Sequence, residues 1–205
     1  MSLLTEFQEV QNKINTATLA TKLILNATTV PIQTNLVYSN NTYQVFSNKY
    51  IDTGVAQSSL SSGYTIFVTI HPYSWSNYKG VFGDHRYGGI IGLQYENGGI
   101  YMGHFQPSAS VDLSGYITTN QTYNIAVRVS DSSTKLNVWI NGEKVVKDYA
   151  LGGFTAYGNL LFGRAYPSTE RYFDGKLGYI YVYNTALSDV DITYMNAVIE
   201  KIQVI

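Results

Sequence analysis

The sequence predicts an all-β fold, a sandwich or a barrel, with a helix at each end of the chain. Three observations predict it. The period of the apolar residues changes from helical to two near residue 35 and stays at two almost to the C-terminus. Asn-Gly and other Gly-containing turns punctuate that stretch at short intervals. Charged residues make up only 13% of the chain, and Asn, Thr, Ser, Tyr and Gly take their place, a balance that favours strands and turns over helices.

Residues 2–25 come first and have helical periodicity. Leu3, Phe7, Val10, Ile14, Ala17, Thr21 and Ile24 fall at alternating spacings of four and three, an a/d seam over roughly three heptads. Ala17 and Thr21 weaken the seam toward its end. An isolated helix of this length is marginal in water, so it needs a partner. That partner is the chain's own domain, copies of the same helix, or a host structure. Thr28–Pro31 ends the helix, because the residue before proline avoids the α region. The expected division is an oligomerisation or attachment segment at 1–30 and one domain at 35–205.

Strands are expected at Leu36–Tyr38, Tyr43–Phe46, Tyr64–Ile70, Gly80–Phe82, Gly89–Tyr95, Ile100–Phe105, Tyr123–Val129, Lys135–Ile140, Lys144–Lys147, Asn159–Phe162 and Gly175–Tyr183. In Tyr123–Val129, the apolar set Tyr123, Ile125, Val127 and Val129 opposes Asn124 and Arg128, which reads as one buried face and one wet face. Asn141-Gly142 is the strongest hairpin signal in the chain, a type I′ turn, and Asn97-Gly98-Gly99 does similar work. Near the end, Ser188 caps a short helix with Asp191 as the carboxylate of a capping box. Ile192, Met195, Val198, Ile199 and Ile202 form its apolar stripe.

The chain has 205 residues, 13 Lys and Arg against 14 Asp and Glu, and no cysteine. The near-zero net charge leaves no electrostatic footprint for nucleic acid. The missing cysteine removes disulfides, thiolate metal sites and cysteine nucleophiles. No apolar run approaches the roughly 20 residues that a membrane span needs. The N-terminus has no basic region followed by an apolar one, so no signal peptide is expected.

Three segments together resemble the concanavalin A-like superfamily of lectins and glucanases, and its laminin G-like domains in particular. YIDTGVAQSSLSSGYTIFVTI at 50–70 is similar to the family's opening strand, Ser-rich loop and second strand. YNIAVRVSDSSTKLNVWINGEKV at 123–145 is similar to its central hairpin, with Tyr123 where Trp is usual. LLFGRAYPSTERYFDGKLGYIYVYNTALSDVDI at 160–192 resembles its closing segment. The resemblance implies an antiparallel two-sheet jelly-roll sandwich that binds glycans or proteins. A helix placed directly before such a domain, with no signal and no cysteine, resembles bacteriophage virion components such as fibres and decoration proteins. The expected setting is therefore the virion, with a bacterial cell-surface adhesion or carbohydrate-binding module as the alternative. The expected partners are further copies of the chain, a trimer in a fibre, or other virion proteins, and a cell-surface glycan.

Glycoside hydrolysis needs two carboxylates about 5–5.5 Å or about 6.5–9.5 Å apart. Hydrolases of the superfamily place them at Glu-x-Asp-x-Glu spacing on one strand, and that spacing is absent here, so no enzyme is expected. No histidine pair has metal-ligand spacing and no metal is assigned. The resemblance keeps calcium open, with Asp84, Asp112 and Asp174 as eligible loop residues. The best binding surface is the aromatic stretch His71–Tyr87. Trp75 and Tyr87 can offer planes to a sugar ring, Asp84 and Arg86 can offer hydrogen bonds, and Tyr78 and His85 belong to the same candidate set. The bland alternative is a loop that seals the sandwich or contacts a neighbour. A second loop, Tyr166–Tyr172 with Arg164, Glu170 and Arg171, is the weaker candidate.

Overall fold

A computed structural model describes residues 19–23, 37–39, 43–46, 50–83, 92–105, 108–130, 134–152, 158–164 and 171–203. They form two antiparallel sheets packed face to face, with a helix on the outside of one. Strands are labelled in chain order. The first sheet runs β12(Glu143–Ala150), β11(Lys135–Ile140), β10(Tyr123–Ser130), β5(Tyr64–Ser74), β14(Asp174–Tyr183), β3(Tyr43–Phe46), β2(Val37–Ser39), and β1(Leu19–Leu23) also pairs with β14. The second runs β4(Ile51–Ala56), β13(Asn159–Phe162), β6(Gly80–Phe82), β7(Gly92–Glu96), β8(Gly99–Phe105), β9(Ser108–Asp112). The helix, α1(Asp189–Gln203), follows β14.

Turn chemistry fixes the registers. Asn141 and Gly142 have φ of 49° and 82°, and Asn97 and Gly98 have 49° and 90°. Two successive positive φ values are what a type I′ turn requires, and its twist matches that of the flanking strands. The first turn joins β11 to β12 with Ile140 opposite Glu143. The second joins β7 to β8 with Glu96 opposite Gly99.

The core lies between the sheets. Alternate residues of β5 (Tyr64, Ile66, Val68, Ile70), β10 (Tyr123, Ile125, Val127, Val129) and β14 (Leu177, Ile180, Val182) meet Phe82, Leu93, Met102 and Phe162 from the second sheet. Burying each such side chain contributes about 1.5–3 kcal/mol.

The outer face of the first sheet carries a second apolar cluster. Phe67, Ala126, Trp139, Tyr181 and Tyr183 pack beneath Ile192, Met195, Val198 and Ile199 of α1. This corrects the wet face expected for β10. Ala126 is fully buried, Asn124 is 5% exposed, and the cause is α1 lying across the sheet. Arg128 survives there as a clasp: its guanidinium meets Asp189 Oδ1 at 2.6 Å and donates to the Leu187 carbonyl at 3.0 Å. Lys144 meets Asp189 Oδ2 at 2.8 Å. Both cations lie over the Trp139 ring, at 5.2 and 4.7 Å. The capping box forms as expected, with Ser188 Oγ donating to Asp191 Oδ2 at 2.6 Å and accepting from the Asp191 N–H at 3.2 Å.

The helix expected over 2–25 is contradicted at its end. Leu19–Leu23 is a strand, with Leu19 opposite Tyr183 and Leu23 opposite Ile180. β14 is ten residues long, so one edge serves two partners: β3 pairs with Gly175–Leu177 and β1 with Ile180–Tyr183. An open edge with unpaired backbone groups overrides a weak heptad that rests on Ala17 and Thr21. The seam residues Leu3, Phe7, Val10, Ile14, Ala17 and Ile24 lie outside the described residues. Besides β1, the strand reading left out β4, which lies in the 50–70 segment that resembles the family's opening strand, and β9.

Candidate functional site

One end of the sandwich gathers aromatic and cationic side chains from four separate stretches of chain. β5 ends at Ser74, and residues 75–79 cross to β6. Trp75 lies inward, stacked on Tyr95 with ring centroids 6.3 Å apart and planes 16° apart, and tilted against Phe173 at 5.7 Å. Its indole N–H is buried without a hydrogen-bond partner among the described residues. Trp75 therefore seals the core end and orients its neighbours.

Tyr78 does the opposite. It is 39% exposed and sits at φ +67°, a left-handed conformation that a bulky side chain rarely adopts. Backbone bonds hold it there. The Tyr78 N–H donates to the Tyr95 carbonyl at 2.7 Å, and the Tyr95 N–H donates to the Lys79 carbonyl at 2.8 Å. The Lys79 N–H donates to the Ser76 carbonyl at 3.0 Å. The 75–79 loop is thus fastened to the end of β7. Backbone strain of this kind persists only where surrounding structure over-determines it, and it clusters at ligand-binding sites.

The Arg171 guanidinium lies over the Tyr78 ring, 4.5 Å from its centroid. The Gly80 N–H donates to the Arg171 carbonyl at 3.4 Å, and Gly80 bridges to Tyr172. Arg164, 8% exposed, lies between two more rings, 4.8 Å from Tyr50 and 5.2 Å from Tyr172. The structure thereby joins the two loop candidates of the sequence. Tyr78 from the first meets Arg171 from the second, and Gly80 next to that loop bridges to Tyr172, on which Arg164 lies. Asp84, His85, Arg86, Tyr87, Tyr166 and Glu170 lie outside the described residues. Tyr50 and Tyr95 carry no sequence signal for this site, since Tyr50 reaches it just ahead of β4 and Tyr95 from β7, both far in sequence from the residues they meet.

His71 and Tyr73 point instead to the outer face of the first sheet, edge to face at 5.6 Å. His71 Nδ1 is 3.0 Å from Thr122 Oγ1. Burial, and then the charge of Lys176, holds the His71 pKa below its usual value.

The calcium candidates are divided between sheets. Asp112 ends β9 in the second sheet and accepts from the Ser114 hydroxyl at 2.5 Å and the Ser114 N–H at 2.8 Å. Those bonds pull its carboxyl below the usual range. Asp174 opens β14 in the first sheet and accepts from the Ser74 hydroxyl. Among the described residues, no group of three His, Asp or Glu is placed to hold a metal ion. An exposed tyrosine ring beside a guanidinium, on a rigid rim, can meet the C–H face of a sugar ring and bond its oxygens.

A family model described as the Concanavalin A-like lectin/glucanases superfamily matches residues 46–193. No curated protein matches the chain in sequence. The chain is similar to domain 4 of AbnA, an extracellular GH43 arabinanase from Geobacillus stearothermophilus solved with arabinotriose, at 17% identity and TM-score 0.60 over 86% of each chain. It is similar to the binding domain of botulinum neurotoxin serotype D, at 14% identity and TM-score 0.60, over 80% of this chain and 45% of that one. It is similar to Trypanosoma rangeli sialidase, at 14% identity and TM-score 0.60, over 98% of this chain and 38% of that one. The chain therefore spans less than half of the neurotoxin and sialidase chains. At these identities the likeness is one of fold.

Proposed function

The chain belongs to the concanavalin A-like lectin/glucanase superfamily, and we propose that it is a non-enzymatic glycan-binding module displayed on a bacteriophage particle. The presentation of Tyr78 carries the reading. A half-exposed ring on strained backbone, flanked by Arg171, is costly to keep unless a ligand uses it.

The carboxylates support binding without hydrolysis. The carboxylates of Asp52, Asp148, Asp174, Asp189 and Asp191 are each engaged in hydrogen bonds that hold turns, strands or the helix cap. The carboxyls of Asp112 and Asp189 are both pulled down, the wrong direction for a general acid. The virion setting rests on the N-terminal seam. It runs into β1, and β1 is part of the first sheet, so whatever holds the seam also holds the sandwich.

The test is a glycan array probed with the intact chain, followed by a reducing-end assay on every glycan retained. Retention that disappears in Tyr78→Ala, with no new reducing ends, is expected. Reducing ends released by the intact chain, and lost on substitution of one carboxylate, would make it an enzyme.

A further inference from the structure

We propose that α1 is a lid. It lifts from the first sheet in a local opening that leaves the sandwich folded, and the buried side chain of Asn196 keeps its attachment weak.

The contact between α1 and the sheet carries a polar penalty. Six buried side-chain polar atoms have no hydrogen-bond partner among the described residues, and four of them belong to residues packed at this contact. They are Nδ2 and Oδ1 of Asn196, the Tyr183 hydroxyl and Nε of Arg128. Asn196 is on α1 itself and is 1% exposed. It stands four residues after Ile192 and three before Ile199, on the face that the helix turns to the sheet. Tyr183 lies in the aromatic cluster beneath, and burial pushes its hydroxyl up to about 12.

A polar group without a partner is penalised only while it is buried. When α1 lifts, water satisfies the Asn196 amide and the penalty is relieved. An aliphatic residue at the same position would extend the stripe of Ile192, Met195, Val198 and Ile199 and hold the helix more tightly.

The connection to the sandwich sets the pivot. Leu187 is pinned, with its N–H donating to Thr65 Oγ1 at 3.0 Å and its carbonyl accepting from Arg128 at 3.0 Å. The ion pairs that follow it, from Arg128 and Lys144 to Asp189, are open to solvent and screened. The helix therefore swings from Ser188 and Asp189. No residue of α1 belongs to the apolar cluster between the sheets, so its departure leaves that cluster packed.

Lifting α1 uncovers a row of side chains that crosses four neighbouring strands. Trp139 of β11 is opposite Ala126 of β10, Ala126 is opposite Phe67 of β5, and Phe67 is opposite Tyr181 of β14. The lid thus controls access to a continuous aromatic row on the outer face of the sandwich.

The experiment is amide hydrogen exchange of the intact chain at neutral pH, read by mass spectrometry. Corrected for intrinsic rates, Ile192–Ile199 should exchange roughly a hundredfold faster than the central strands β5 and β10, through an opening smaller than global unfolding. Low urea should speed β5 and β10 far more than α1, because a local opening exposes less surface. Asn196→Leu should slow exchange of α1 about tenfold, the scale of one relieved polar group. Asn196→Ala repeats the test without added volume, and slowing in either variant supports the proposal. Protection of α1 equal to that of β5 and β10 would make the helix an integral part of the fold and overturn the lid. Exchange that is unchanged or faster in both variants would overturn the role of Asn196.

Discussion

The backbone N–H of Tyr78 donates to the carbonyl of Tyr95 at 2.7 Å, and this bond holds a bulky residue at φ +67°. Glycine would take the same conformation without strain. Tyr78→Gly should therefore keep or raise stability, by up to about 1 kcal/mol once the lost Arg171 contact is set against the relief. Glycan binding should fall by tenfold or more, on the scale of an aromatic removed from a binding hot spot. Paired denaturation and binding measurements check this. Lost stability with binding intact would make Tyr78 a structural residue.

The clasp on α1 should respond to acid. Asp189 has its carboxyl held below the usual range, first by the Lys144 hydrogen bond and then by Arg128. A depressed carboxylate contributes stability that is present above its unfolded pKa and is lost as pH falls through the folded pKa. The stability difference between the wild type and Asp189→Asn should thus be present at neutral pH and shrink below about pH 4. Its size should stay under about 1 kcal/mol, because the pair is solvent-screened, with the Asp189 side chain 56% exposed. Chemical denaturation of both proteins across pH 2–7 measures it.

Trp139 is the centre of the outer cluster. It is 2% exposed, packs under α1, and carries Arg128 and Lys144 on its ring. Trp139→Ala should cost about 3–5 kcal/mol, the usual range for emptying a large aromatic site. Part of the helical circular dichroism signal should go with it. A loss below about 1 kcal/mol would mean that α1 is held by other contacts.

β1 alters what truncation should do. Deletion of residues 1–18 keeps the strand and should leave the melting temperature nearly unchanged. Deletion of residues 1–32 strips β1 from Ile180–Tyr183, opens that edge, and should lower the melting temperature by several degrees and promote aggregation. Sedimentation of the intact chain and of the 1–18 deletion also tests the seam. A trimer that becomes a monomer supports a fibre. A monomer that binds only assembled particles supports decoration, and one with no affinity for particles supports a free-standing adhesion module.

Much of the fold was legible in the sequence. The period-two pattern placed β3, β6, β11 and β13 on the residues they occupy, and the two Asn-Gly turns set their hairpins. β9 was missed because Ser108-Ala109-Ser110-Val111-Asp112 alternates over only five residues with a small apolar set, Ala109 and Val111, and among the described residues it pairs along the edge of β8. β1 was hidden because a heptad and a strand compete over the same residues, and the open edge of β14 that decides between them is more than 150 positions away in the chain. The wet face of β10 was misread because no short-range pattern reveals that the last helix folds back over Ala126. At the rim, aromatic density marked Trp75 and Tyr78. Their meeting with Arg171 depends on the Gly80–Arg171 and Gly80–Tyr172 contacts, which no local pattern encodes.

The most direct test uses the two tryptophans of the chain as position markers. The Trp75 indole N–H is buried against the ring of Tyr95, with no hydrogen-bond partner among the described residues, while Trp139 lies under α1 on the outer face of the first sheet. In a nitrogen–proton correlation spectrum each gives one indole signal, assigned with Trp139→Phe. Titration with the tightest-binding glycan of the array should shift or broaden the Trp75 signal in proportion to occupancy and leave the Trp139 signal in place. Saturating binding with the Trp75 signal unmoved would place the site elsewhere and contradict the account.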